Sequence, residues 1–347
     1  MKDQDVAKLV EELTEEERRY RARRAKAKRL AIKKRKRQRR IRLLVCTGIL
    51  IIGMVGIIHW ADRKKTSDTQ SGEVSVDQQE LDGINNSFQG GKDVFLYESE
   101  FADFFEQNKP EIFEKSQIYK RLKELVKDYP QLKEIYDKKD EYPEKVLASL
   151  CNNPEMYAYV EGYLNYAAGD RSVVTEAVLS EEEKKQRYPL FLQWDARWGY
   201  EEYGDFNIAL SGCGPTTLAM ALVAVTGDTS ITPDDIARYS MDNGFYVEGT
   251  GTAWSLMTEG AKDYNVKARE LSLDEQVMKN ALDAGKVIIC SMRPGDFTAV
   301  GHFVMIYDYD VNGFKVNDPN CIYRSSRYWS YEELSGQIRI LWSYENL

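Results

Sequence analysis

The run Leu218-Ala219-Met220-Ala221-Leu222-Val223-Ala224-Val225 is apolar on every side, so as a helix it has no face to turn toward water. Whatever this chain folds into must surround that helix. Immediately ahead stands Leu210-Ser211-Gly212-Cys213-Gly214-Pro215-Thr216-Thr217. Pro215 suits the first helical position, where its missing N–H is not needed, and Gly227 supplies the stop. A thiol at this point meets the positive end of the helix macrodipole, which favours thiolate over thiol. Gly212 and Gly214 keep side chains away from the sulfur, so the segment reads as a candidate reactive cysteine.

The 347 residues are enough for one or two cores, and the net charge of -8 is unevenly spread. Residues 1–42 hold 18 Lys/Arg against 7 Asp/Glu, a surplus of +11, which leaves -19 on the rest. Leu43 to Trp60 follows as eighteen residues without a formal charge apart from His59, long enough to span a bilayer core as a helix. Sixteen Lys/Arg and no acid lie between Arg18 and Arg42, so the positive-inside rule puts 1–42 in the cytoplasm and the chain after Trp60 outside the cell. A cleaved signal peptide is the alternative, but no small-residue cleavage site follows. We therefore expect a single-pass anchor in the cell membrane at 43–60, with the basic tail resting on anionic lipid rather than on nucleic acid. Residues 61–92 are polar and rich in Ser, Gln and Gly, as in a linker.

From 93 to 184 the apolar spacing is helical. Ile118, Tyr119, Leu122, Leu125 and Val126 make one stripe, ended by Pro130, and Val146, Leu147 and Leu150 make a second. Asn153-Pro154 opens a third carrying Met156, Tyr157 and Val160. These predict a small all-helical module, with Cys151 in a connection. Residues 185–347 have mixed texture: a helix from Thr232-Pro233, a capping box at Ser272–Glu275, and strands at Val287–Cys290, His302–Tyr309 and Phe314–Asn317. The expected class is α+β.

With two histidines in the chain and His59 at the membrane boundary, His302 is the only imidazole after the span. That excludes any zinc site needing two histidines, and no Gly-rich phosphate loop or metal-ligand cluster is present, so neither metal nor cofactor is expected. A cysteine nucleophile needs a base, and the base needs a group that fixes its tautomer. Asp318 is the candidate for that group, at the end of a strand closed by Pro319. Register limits the idea. A three-residue loop, 311–313, sets Asp318 opposite Ile306 on the His302 face, still displaced along the strand, so twist or a bulge must close the gap.

Taken together, Gln193-Trp194-Asp195-Ala196-Arg197-Trp198-Gly199, Gly212-Cys213-Gly214-Pro215-Thr216-Thr217, Gly301-His302-Phe303-Val304 and Asn317-Asp318-Pro319 resemble the C39-like branch of papain-like cysteine peptidases, relatives of the double-glycine leader peptidases. The resemblance covers about 188–344. It implies a papain-like fold, Cys213 as nucleophile, His302 as general base and acid, Asp318 as orienter, and a glutamine, Gln193, donating to the oxyanion beside the backbone N–H of Cys213. In many papain-like enzymes that glutamine lies six residues before the cysteine, where this chain has Asn207, an alternative donor. Trp254 is a candidate wall of the substrate cleft, together with Asn207, Gly212 and Gly214.

The reading is a membrane-anchored extracellular cysteine peptidase acting on a peptide or protein. Its rivals are an inactive peptide-binding module of the same fold and a peptidoglycan amidase or endopeptidase. The second rival usually orients its base with another histidine, which this chain lacks. Cys290 reads as an inert core thiol, and Cys321 as an unlikely partner of Cys151.

Overall fold

A computed structural model describes residues 98–347, which lie within one compact unit. The expected basic tail, span at 43–60 and linker lie outside the described residues. Among those described, no helix is long and apolar enough to cross a membrane.

The first part is helical. Lys115–Asp128 buries Ile118, Leu122 and Leu125, and Glu144–Asn152 buries Val146, Leu147, Leu150 and Cys151. Cys151 is thus inside a helix rather than in a connection. Its thiol faces the Ile118 carbonyl at 3.6 Å, and burial pushes its pKa up to about 12. Asn153 caps a short 3₁₀ turn, Pro154–Met156, which runs into the helix Tyr157–Ala167. The core of these helices continues into the later chain through Tyr200 and Ala209.

The second part is built on one antiparallel six-stranded sheet. Its order is Val266–Glu270, Ile338–Asn346, Val287–Met292, His302–Asp310, Gly313–Asn317 and Tyr328–Trp329. The helix Cys213–Thr226 lies on one face, among Val287, Ile289, Phe303, Met305, Trp342 and Tyr344. The alternate residues, Ile288, Cys290, Val304, Ile306 and Val316, pack on the other face with Met278 and Leu282 of the helix Glu275–Asp283. Alternation along buried strands thus produces two cores from one sheet. Each fully buried leucine of the Cys213 helix contributes roughly 1.5–3 kcal/mol relative to exposure.

Several local expectations shift. The helix begins at Cys213, so Pro215 is its third residue; its absent N–H is still one of the four that lack intrahelical acceptors. Gly227 ends the helix in the left-handed conformation, at φ 69°. The helix expected to start at Ser272 is capped by Asp274, whose carboxylate accepts from the Val277 N–H at 3.0 Å.

Candidate active site

The hairpin that carries His302 and Asp318 is tighter than the sequence suggested. Asp310 pairs with Gly313, so the loop has two residues, and two residues alone would turn Asp318 to the wrong face. A bulge between Ile306 and Asp308 restores it: Ile306 then pairs with Val316 and Met305 with Asn317. Continuing that pairing sets Asp318 opposite Val304 on the His302 face, two residues nearer than a three-residue loop would bring it. His302 opens its strand and Asp318 lies just past the end of the next, and the two side chains meet. His302 Nε2 lies 2.6 Å from Asp318 Oδ1.

Both groups are buried, His302 to 7% exposure and Asp318 to 0%. Burial alone would push the imidazole pKa down. The Asp318 carboxylate, by charge and hydrogen bond, and the Cys213 side chain outweigh it and raise His302 to about 9. Since Nε2 belongs to Asp318, Nδ1 is the ring nitrogen left for the Cys213 sulfur. Burial would likewise raise the Asp318 pKa, but Arg324 and His302 hold it down at about 2. Both its oxygens are engaged: Oδ1 also accepts from the Asn320 N–H at 2.8 Å, and Oδ2 accepts from Arg324 Nε at 2.5 Å. Arg324 was not legible as a site residue. It lies in a four-residue helix, Ile322–Ser325, that the turn residues Asp318-Pro319-Asn320 lead into.

Cys213 stands at the start of its helix, partly exposed, where the first backbone N–H groups have no acceptor inside the helix. The neighbouring glycines serve packing. A Cβ on Gly212 would strike the Ile208 backbone, and one on Gly214 would strike Thr252. The short helix Ile208–Ser211 and the 251–252 strand therefore press against the glycines on either side of the cysteine, which is a different reason for glycine than access to the sulfur.

Gln193 bridges the two halves of the site. Its backbone N–H donates to the Pro319 carbonyl at 2.6 Å, beside Asp318. Its Nε2 donates to the Ala209 carbonyl at 2.6 Å, in the short helix leading to Cys213. One hydrogen of that amide nitrogen stays uncommitted, and its Oε1 is buried with no partner among the described residues. Asn207 is placed otherwise. Its amide exchanges hydrogen bonds with the Tyr159 hydroxyl, at 2.8 and 3.1 Å, and its oxygen caps the Ile208 helix. Trp254 is 40% exposed, with its Nε1 donating to Ser291 Oγ at 3.2 Å and its ring edge-on to Trp342.

Cys290 and Cys321 are buried free thiols, both raised in pKa by burial, and Cys321 forms no bridge to Cys151. Among the described residues no group of three or more His, Cys, Asp or Glu side chains could hold a metal ion.

Residues 185–346 match the family described as the Peptidase_C39 like family. No curated protein matches the chain. Among solved structures, a candidate C39-like peptidase from Bacillus anthracis is similar at 16% identity and a TM-score of 0.28, over 50% of this chain and 98% of that one. The part of the chain that carries Cys213, His302 and Asp318 is therefore similar to the C39-like peptidases, a likeness that suggests cysteine peptidase activity.

Proposed function

We propose that the protein is a cysteine peptidase that cleaves peptide bonds outside the cell, tethered to the membrane by residues 43–60. The observation that carries the catalytic reading is the buried His302–Asp318 pair at 2.6 Å, with Cys213 as the other partner of the imidazole. The family likeness of 185–346 supports it. The run from Leu43 to Trp60 behind a basic tail supports the anchoring, with the tail against anionic lipid.

The chemistry follows from the placement. The Cys213 thiol gives its proton to His302 Nδ1, its sulfur attacks the scissile carbonyl carbon, and the C=O electron pair moves onto oxygen. That oxyanion accepts hydrogen bonds from the Cys213 backbone N–H and from the uncommitted N–H of Gln193. As the tetrahedral intermediate collapses, His302 Nδ1–H gives its proton to the departing amine nitrogen and the C–N bond breaks. Water then attacks the thioester, losing a proton to His302, and the C–S bond breaks to release the acid. Asp318 keeps Nε2 engaged throughout, so the proton moves only at Nδ1. The half-exposed Trp254 walls the cleft, which suits apolar side chains in the substrate.

The test is iodoacetamide alkylation of Cys213 at pH 6, followed by mass spectrometry on the full chain and on His302→Ala. The buried cysteines at 151, 290 and 321 serve as internal controls. A slowing on the order of a hundredfold in the variant is expected if the thiolate–imidazolium pair exists. Equal rates in both proteins would leave a peptide-binding module of the same fold as the better reading. Topology is tested separately, by protease access to residues after 60 on intact cells.

A further inference from the structure

One buried carboxylate has no part in that chemistry. Glu155, 6% exposed, belongs to the helical part and lies outside the segment that matches the peptidase family. Burying a carboxylate is unfavourable unless its oxygens are well supplied with donors. Here Oε2 accepts from the Ile322 N–H at 2.7 Å, and Oε1 from the Tyr323 N–H at 3.0 Å and Ser99 Oγ at 2.5 Å. Burial still raises its pKa, against the pull of those donors and of Arg324. Two of the donors are backbone groups of the segment that joins Asp318 to Arg324. Asn153 grips the same segment, its Nδ2 donating to the Asn320 carbonyl while its Oδ1 accepts from the Glu155 N–H. The Phe105 ring stacks on Tyr323, 5.3 Å between centroids, and faces the Arg324 guanidinium.

The charges alternate along this path. Arg324 is buried and contacts Asp318, the same carboxylate on which His302 depends. With Asp318 as sole counter-ion, Arg324 would compete with the imidazolium for one negative charge. Glu155, which acts on Arg324 through space by charge, supplies a second, so two negative charges balance two cations when His302 is protonated. The buried Cys321 thiol, capping the Arg324 N–H at 3.5 Å, is neutral and adds none.

We propose that Glu155 is a positioning residue for the peptidase site: it fixes the Asp318–Arg324 turn from the helical part and balances Arg324, so that Asp318 remains available to His302. The site is then incomplete without residues the family segment does not contain. The inference rests on the catalytic reading of Cys213, His302 and Asp318.

The experiment uses the full chain carrying His59→Gln and ¹³C-labelled histidine, so that His302 is the only imidazole observed. Glu155→Gln is compared with its parent for the His302 titration midpoint by NMR and for Cys213 alkylation at pH 7. Loss of the charge and loosening of the turn act in the same direction. The midpoint is expected to fall below the parental value of about 9, and alkylation to slow by about tenfold. Leu122→Ala, a packing change inside the Lys115–Asp128 helix, is expected to lower the melting temperature and move neither reading. A folded Glu155→Gln protein with the parental midpoint and rate overturns the proposal. Should that variant not fold, Asn153→Ala must show the same displacement in smaller measure, and its absence overturns the proposal equally. His302→Ala separates two failures. If it alkylates as fast as the parent, the catalytic reading has failed; if it is slow while Glu155→Gln is not, only the role of Glu155 has.

Discussion

The cysteine and the histidine of the candidate site are held by opposite means. Cys213 is placed by the apolar helix behind it, whose residues Gly214 to Val223 are all buried and whose entry is fixed by close contacts at two glycines. His302 is placed by charge, through a carboxylate with no exposed surface shared between an imidazole and a guanidinium. Packing is tolerant: one lost methylene weakens the whole without redirecting any atom. A buried ionic network is unforgiving, because removing one member leaves another charged and unpaired. Stability should therefore be governed mainly by the first region, and reactivity by the second.

The sharpest break of that division is Asp318→Asn. Hydrolysis of an activated peptide ester is expected to fall by about 10³- to 10⁴-fold, from loss of the imidazole's orienting charge. Urea denaturation of the same variant should show a loss of about 3–5 kcal/mol, because Arg324 loses its carboxylate. Next, Leu222→Ala is expected to lose about 2–5 kcal/mol in the same denaturation, with the alkylation rate of the folded fraction unchanged. A slowed rate there would mean that the two regions are not separable.

The pH dependence sharpens the comparison further. The His302 pKa is raised in the folded protein, so its contribution to stability is complete below about 6.5 and is lost as pH climbs through about 9. The Asp318 pKa is depressed, so its contribution is present above the ordinary carboxylate range and is lost as pH falls toward 2. Urea midpoints measured from pH 6 to 9.5 should therefore decline, and the decline should be much reduced in His302→Ala. The smallest effect belongs to Tyr159→Phe. Removing the hydroxyl that engages Asn207 is expected to lower stability by about 1 kcal/mol, with little change in alkylation.

This contrast also explains what could be read from the residues alone. The Cys213 helix is local, an unbroken apolar run between Pro215 and Gly227, so its identity, burial and Gly227 stop were all visible. Helical stripes such as Ile118, Leu122 and Leu125 were legible for the same reason. Asp318 was identifiable as a residue, but its approach to His302 depends on a bulge between Ile306 and Asp308 that no local pattern announces. Arg324 and Glu155 carried no local signal, because burial of a charge has no period, and Glu155 meets the Ile322 and Tyr323 N–H groups, 167 and 168 residues further on, only once the chain is folded. The strand Ile338–Asn346 passed unnoticed because its burial alternates only in part.

That strand has a consequence for how the protein reaches its fold. It lies between Val266–Glu270 and Val287–Met292, two earlier strands that are nearer to each other in sequence than either is to it. Those two cannot settle by pairing with one another; the slot between them waits for a segment that arrives much later along the chain. Until then the edge of the buried Val287–Met292 strand is open, which invites pairing with other chains. Such late, non-local closure makes for slow folding. Refolding at low protein concentration should accordingly give markedly higher yields than refolding at high concentration.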